Sequence, residues 1–220
     1  MKQINKISEP KSLVQHRANT FATFENIPLK TKDELRQNLL SEQGHICCYC
    51  MKRIPEQNAP YMKIEHHKCQ DNYETMQLTY SNLFGACTGN EGQPKIKQTC
   101  DTKKGNLDLF INPISNAPTC ETLFKYNSEG EISSINDDIN INKQLNDILN
   151  LNMQTLKDGR SAVYLEVQKR VKIESKNKAT FAKFLEQEKT RWMERTDNKF
   201  KPYCQVAIYY LMKKIKSHQK

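Results

Sequence analysis

The sequence has no long hydrophobic stretch, and hydrophobic residues make up only 37% of its 220 residues. The longest apolar run extends from Val206 to Met212, far short of the about 20 residues that a membrane-spanning helix needs. The chain also begins without the apolar segment of a secretion signal. These absences predict a cytoplasmic protein with no membrane partner.

No internal repeat is visible, and at this length a chain can bury a core without disulfide bonds. The sequence contains eight cysteines. Because the cytosol is reducing, a disulfide framework is not expected there. The cysteines should therefore be free thiols or thiolate ligands of a metal ion.

Acidic residues are scarce only in the C-terminal part of the chain. The formal net charge is +9, and residues 140–220 carry 18 lysines and arginines against 8 acidic residues, whereas residues 1–139 carry 16 against 17. This excess favours a polyanionic partner such as nucleic acid. Candidate contacts are the clusters Lys169-Arg170-x-Lys172 and Lys213-Lys214-x-Lys216, although such clusters also occur on solvated helix faces.

Hydrophobic spacing predicts the main elements. A helix is expected from Thr31 or Lys32 to Leu40, with Thr31 as a candidate N-cap and Gly44 as the stop. The alternation in residues 61–66 predicts a strand, and residues 78–84 predict a strand or an extended segment. Asp101 is expected to cap a helix, residues 127–130 to turn a hairpin, and residues 140–220 to form a helical subdomain.

Cys47-x-x-Cys50 has a spacing that allows two thiolates in a tight turn to bind one zinc ion. Cys87 and Cys100 are the candidates for the second pair, although twelve residues separate them. A loop of that length is tolerated when both of its ends return to one ion. The sequence therefore predicts a structural zinc site with these four ligands, with Cys69 as the alternative to Cys87.

The residues between and after these cysteines suit phosphodiester hydrolysis. Glu65 offers a carboxylate to a hard divalent ion, and Asp101 can supply a second one. His66 can take a proton from water near neutral pH. His67 leaves an alternative open, in which the first histidine is a metal ligand and the second is the base.

Taken together, these motifs resemble an HNH endonuclease of the ββα-metal type with zinc-knuckle cysteines. Within that superfamily the chain resembles the PtuB-like component of Septu antiphage systems, which also occurs in retrons. The matching motifs, in chain order, are Gln43-x-x-x-Cys47-x-Tyr49-Cys50, Ile64-Glu65-His66, Ser81-Asn82-Leu83, Cys87, Cys100-Asp101-x-Lys103-Lys104-Gly105 and Leu149-Asn150-Leu151-Asn152.

The resemblance implies a role for each residue that matches the motif. Glu65 corresponds to the acidic metal ligand and His66 to the general base. Asn82 corresponds to the middle residue that steadies the metal-binding loop, and Asp101 to the final metal ligand. That final position is often histidine or asparagine, so Asp101 would favour Mg²⁺ or Mn²⁺ as the catalytic ion.

The resemblance, which runs from about Ile4 to Arg160, implies a small zinc-braced ββα-metal (HNH) core. With the helical pattern of residues 140–220, this predicts an α+β fold in which that core carries a larger C-terminal helical subdomain. Residues 1–45 would form an N-terminal lead-in and helix. Residues 46–139 would form the nuclease core with its zinc site and hairpin, and residues 140–220 the basic helical subdomain.

The implied function is metal-dependent cleavage of nucleic acid, as the nuclease effector of an antiphage defence complex. Its implied partners are an ABC-type ATPase resembling PtuA and, in a retron, the reverse transcriptase and its nucleic acid. DNA is the expected substrate, with RNA as the alternative.

A non-catalytic, zinc-braced module that binds nucleic acid or a partner protein is the competing interpretation. A zinc deaminase is disfavoured because its His-x-Glu and Pro-Cys-x-x-Cys motifs are absent.

Overall fold

A computed structural model describes residues 1–55 and 61–218 of the chain. It combines helices with two small antiparallel sheets. In chain order the elements are α1 (Lys11–Arg17), α2 (Leu29–Glu42), β1 (Lys63–His66), β2 (Leu83–Ala86), α3 (Cys100–Lys104), β3 (Phe124–Tyr126), β4 (Ile132–Ser134), α4 (Ile139–Lys143), α5 (Gln154–Glu174), α6 (Lys178–Met193) and α7 (Cys204–His218).

Helix α2 brings the chain to the first cysteine pair. It begins directly after Pro28, whose side chain makes no capping hydrogen bond, so the prediction of Thr31 as the N-cap is wrong. A fixed proline φ just before the first turn suits a helix start. The helix ends at Glu42, just before Gly44, as expected. Gly44 has a φ of +59°, and a Cβ there would lie only 2.4 Å from the ring of Phe200.

The first sheet joins β1 to β2, with Glu65 opposite Phe84 and His66 opposite Leu83. The predicted first strand is confirmed from residue 63 onwards. The second was placed too early, because residues 80–82 form a 3₁₀ turn and the strand begins at Leu83. Helix α3 follows β2 in the chain, and Asp101 lies inside its first turn rather than at its N-cap, which is Thr99.

The second sheet is the predicted hairpin, in which Phe124 of β3 pairs with Ser134 of β4. A short α-helix, a π-helical turn and an irregular segment then lead to α5. Leu145, Leu149 and Leu156 are buried, but the helical segment that contains them is interrupted between residues 148 and 154.

The segments that precede α5 and α7 pack on the part of the chain that contains the four clustered cysteines. The Cys100 N–H donates to the Leu149 carbonyl at 2.9 Å, and the Tyr203 N–H donates to the Met51 carbonyl at 3.1 Å. Helix α5 approaches Tyr203 so closely that a Cβ on Gly159 would lie 2.6 Å from its ring. No helix in the described part of the chain is long and apolar enough to cross a membrane.

Candidate metal and active site

The side chains of Cys47, Cys50, Cys87 and Cys100 meet at one point. Their four Sγ atoms all lie within 4.8 Å of one another. The Cys47–Cys100 distance is 3.9 Å, and the Cys50–Cys87 and Cys87–Cys100 distances are both 3.8 Å. Sulfurs bound tetrahedrally at about 2.3 Å to one zinc ion lie about 3.8 Å apart. The four cysteines are therefore spaced to bind a metal ion such as zinc.

Local structure explains why residues so far apart in sequence converge. Cys47 and Cys50 lie on a tight turn, closed by a hydrogen bond from the Cys47 N–H to the Lys52 carbonyl. Cys87 directly follows β2, and Cys100 is the first residue of α3. Cys69, the alternative ligand, lies outside the cluster and lines a separate cavity.

That cavity has a volume of about 430 Å³ and is lined by Glu65, His66 and Asp101. These are the three side chains that the sequence assigned to the hydrolytic chemistry. Glu65 and His66 are the last two residues of β1 and line the cavity from the end of that strand. Asp101 reaches it from the first turn of α3.

Glu65 is buried, with 1% of its surface exposed. Its Oε1 accepts a hydrogen bond from the Tyr49 hydroxyl at 2.6 Å and lies 3.1 Å from the Lys104 ammonium. Burial, followed by the hydrogen bond to Asp101 and its charge, raises the pKa of Glu65 well above its usual value. The contacts with Lys104 and Tyr49 act in the opposite direction. The Glu65 carboxyl is thus buried near the charge of Asp101, an arrangement that a bound cation would relieve.

His66 has one ring nitrogen committed to the backbone. Its Nε2 lies 3.0 Å from the Gln77 carbonyl, which can only accept, so Nε2 carries the proton in the neutral ring. The ring also packs edge-on against Phe24, with 4.4 Å between centroids. Burial lowers the pKa of His66, partly offset by the Gln77 carbonyl and Asp101. His66 is therefore held as a neutral ring with Nδ1 as its basic nitrogen.

His67 faces away from the cavity. Its Nε2 lies 3.1 Å from the Ile111 carbonyl, and its ring packs against Phe84. It does not belong to the cavity lining. The alternative in which His67 is the base therefore places that base away from both carboxylates.

Asn82 lies outside the cavity and fastens the loop between β1 and β2. Its Oδ1 accepts from the Lys68 N–H at 2.7 Å, and its Nδ2 donates to the Lys68 carbonyl at 2.9 Å and to the Met76 carbonyl at 3.2 Å. The His67 N–H donates to the Asn82 carbonyl at 3.0 Å. These bonds hold the end of β1 in place beside the cavity.

Three further residues shape the site, although the sequence assigned them no such role. Tyr49 and Lys104 both bind Glu65, and Lys104 is buried, with 1% of its surface exposed. Lys63 lies 3.2 Å from Asp101. Each carboxylate therefore has a lysine partner. Lys63 comes two residues before Glu65 on β1, so the alternation of side chains along a strand puts both on one face. This spacing could have identified Lys63 as a site residue from the sequence.

Comparison with models of known protein families finds no match. A Vibrio cholerae serotype O1 biovar El Tor protein named "Retron Vc95 putative HNH endonuclease" is 31% identical over 105 residues, which cover 46% of this chain and 47% of that protein. An Escherichia coli protein named "Retron Ec83 putative HNH endonuclease" is 27% identical over 125 residues, which cover 49% of this chain and 47% of that protein. The chain spans about half the length of the curated relatives it matches. Both of these relatives carry the words HNH endonuclease in their names.

Proposed function

We propose that this chain is a metal-dependent HNH endonuclease that hydrolyses phosphodiester bonds of nucleic acid. One observation carries the proposal: Glu65, His66 and Asp101 line one polar cavity. Hydrolysis of a phosphodiester requires a base for water and a positive charge near the phosphate. The two carboxylates and the imidazole supply the ligands and the base for that chemistry.

The carboxyl groups of Glu65 and Asp101 fit a hard divalent ion such as Mg²⁺ or Mn²⁺, since such ions prefer oxygen ligands. Oε1 of Glu65 is already bound by Tyr49 and Lys104, so Oε2 is the oxygen left for an ion. When bound, the ion neutralises charge on the phosphate and stabilises the leaving oxygen. Lys104 and Lys63 keep the carboxylates in place and limit the negative charge that the substrate meets.

His66 is the proposed general base. Its Nε2 donates to the Gln77 carbonyl, so Nδ1 is the atom that takes the proton from water. The lowered pKa of His66 keeps Nδ1 unprotonated at neutral pH. The contact with Gln77 also stabilises the ring after Nδ1 is protonated, because a carbonyl accepts more strongly from an imidazolium.

The four-cysteine cluster has a structural role in this proposal. A zinc ion on Cys47, Cys50, Cys87 and Cys100 would join the turn after α2, the end of β2 and the start of α3. Since Asp101 directly follows Cys100 in α3, the same ion would fix the position of the second carboxylate. Zinc would thus hold the site together without entering the reaction.

The test is incubation of purified chain with plasmid, phage DNA and total RNA in the presence of Mg²⁺ or Mn²⁺. We expect cleavage by the parent protein, and loss of about 100-fold or more in rate for His66→Ala with its zinc content unchanged. Cleavage lost in His67→Ala but retained in His66→Ala would overturn the assignment of the base. Binding without cleavage under all these conditions would favour the non-catalytic module.

We also propose that the nuclease works in antiphage defence beside an ABC-type ATPase, as the PtuB-like resemblance implies. The names of its two relatives associate those proteins with retrons, in agreement with the retron part of that resemblance. In a retron, the reverse transcriptase and its nucleic acid would be further partners. Affinity purification from a host that carries the neighbouring genes should recover an ATPase in stoichiometric amount. Recovery of the chain alone, with and without phage, would contradict this part of the proposal.

A further inference from the structure

A second cleft lies between α5 and α7, on elements that do not contribute to the catalytic cavity. It has a volume of about 800 Å³ and shares no lining residue with that cavity. Lys169 and Lys172 come from α5, and Lys214 comes from α7. Lys169 and Lys172 are three residues apart and therefore project from one face of α5. With Lys214 on the opposite helix, both walls of this α5–α7 cleft carry positive charge.

The charge in the α5–α7 cleft is uncompensated. The residues that line it include no aspartate or glutamate. Within residues 1–55 and 61–218, none of its three lysines forms an ion pair. Arg170, the neighbour of Lys169 in sequence, instead points away and pairs with Glu188 at 2.9 Å. The cleft therefore concentrates positive charge where an anion can approach from solvent.

Aromatic side chains lie between these lysines. Phe181, at the start of α6, packs edge-on against His218 with 5.3 Å between ring centroids. The ammonium of Lys214 lies 5.6 Å from the ring centroid of Tyr210. Helical spacing places Tyr210, Lys214 and His218 on one face of α7, four residues apart. Tyr210 itself is buried, with 5% of its surface exposed, and its ring packs against Tyr164. Phe181 and His218 are therefore the rings that a base can reach. Lysines beside such rings are the arrangement that binds unpaired nucleotides, with phosphates on lysines and bases on rings.

We infer that the α5–α7 cleft is a second binding site that holds a single-stranded segment of nucleic acid outside the catalytic cavity. A single strand fits better than a duplex because its bases are free to enter a concave cleft and stack, whereas a duplex presents only its outer phosphates. The identification of the anion as nucleic acid rests on the proposed nuclease function.

The test measures binding of a fluorescently labelled 12-nucleotide single strand, as DNA and as RNA, by anisotropy. All proteins carry His66→Ala so that the probe is not cut. The cleft variant combines Lys169→Gln, Lys172→Gln and Lys214→Gln. The matched control combines Lys183→Gln, Lys213→Gln and Lys216→Gln, which remove the same charge from α6 and α7 outside the cleft.

We expect the cleft variant to bind at least about tenfold more weakly at 0.1 M salt. Because each phosphate contact on a single strand contributes about 0.7 to the slope of log affinity against log salt, that slope should fall by about 2. The control should lose less than about threefold. Equal losses and equal slopes in the two variants would mean that net charge alone attracts the probe, and would overturn the inference.

Two further measurements separate the site from a general basic surface. Phe181→Leu should weaken binding about fivefold or more without changing the salt slope, because it removes stacking and no charge. A duplex of the same sequence should bind several-fold more weakly than the single strand. A duplex that binds as tightly, or a Phe181→Leu protein that binds normally, contradicts a single-strand site. Thermal melts and zinc content confirm that each variant is folded.

The outcome is independent of the proposed nuclease activity. Binding is measured without catalysis, so a chain that never cleaves but binds single strands through the α5–α7 cleft would overturn only the nuclease assignment. Cleavage by the parent together with unchanged binding in the cleft variant would overturn only the cleft.

Discussion

The buried ion pair between Lys104 and Glu65 makes the site sensitive to a single substitution. The ammonium of Lys104 lies 3.1 Å from Oε1 of Glu65, and each side chain is only 1% exposed. Lys104 also donates to the His66 carbonyl at 3.1 Å. Lys104→Met keeps most of the side-chain volume and removes the charge. It leaves the Glu65 carboxylate buried without a cation.

Loss of one partner from a fully buried pair costs about 3–5 kcal/mol of unfolding free energy. The cost should depend on pH, because burial already raises the pKa of Glu65 and loss of Lys104 raises it further. In the unfolded chain a glutamate ionises near about 4.3. Above that value the unfolded state releases a proton that the folded state still holds, so stability falls as pH rises. The penalty should therefore be smaller at pH 6.5 than at pH 8.5.

The assay is urea unfolding of zinc-loaded protein without added Mg²⁺ or Mn²⁺, followed by fluorescence of the single, buried Trp192. Lys103→Met, on the same helix, is the matched control and should change stability by less than about 0.5 kcal/mol. Adding Glu65→Gln to Lys104→Met removes the unpaired charge and should recover much of the loss. A penalty below about 1 kcal/mol at both pH values, or no recovery in the double variant, would refute the reasoning.

Three other tests examine the surroundings of the site. Cys87→Ser should reduce the zinc content of the purified protein measured by mass spectrometry, whereas Cys69→Ser should leave it at one ion per chain; the reverse result would move the fourth ligand to Cys69. Asn82→Ala removes three side-chain hydrogen bonds and should cost about 1–3 kcal/mol in urea unfolding, and an unchanged midpoint would contradict its role in fastening the loop. Gly159→Ala should cost about 1–3 kcal/mol because its Cβ would overlap the ring of Tyr203, and a Tyr203→Ala background should remove most of that difference.

Local sequence patterns predicted the elements that depend on nearby residues. The helix before the cysteines, the hairpin at residues 127–130 and the strand that contains Glu65 are all present. The predictions that were wrong concern element boundaries, as with the caps at Thr31 and Asp101. The first residue of α3 is Cys100, a member of the cluster, which has a φ of +55°. Its N–H donates a hydrogen bond to the Leu149 carbonyl. Contacts from distant parts of the chain thus set where that helix begins.

The sequence by itself determined which side chains were available for chemistry, because cysteine, histidine and carboxylate ligands are recognisable by type and by short spacing. Cys47-x-x-Cys50 and Glu65-His66 are of this kind. Only the tertiary structure decided that Cys87 rather than Cys69 completes the cluster, and that His66 rather than His67 faces the cavity. It also decided that Lys104 is buried against Glu65. Burial and convergence depend on contacts between residues tens of positions apart, and no local pattern encodes the distance between them.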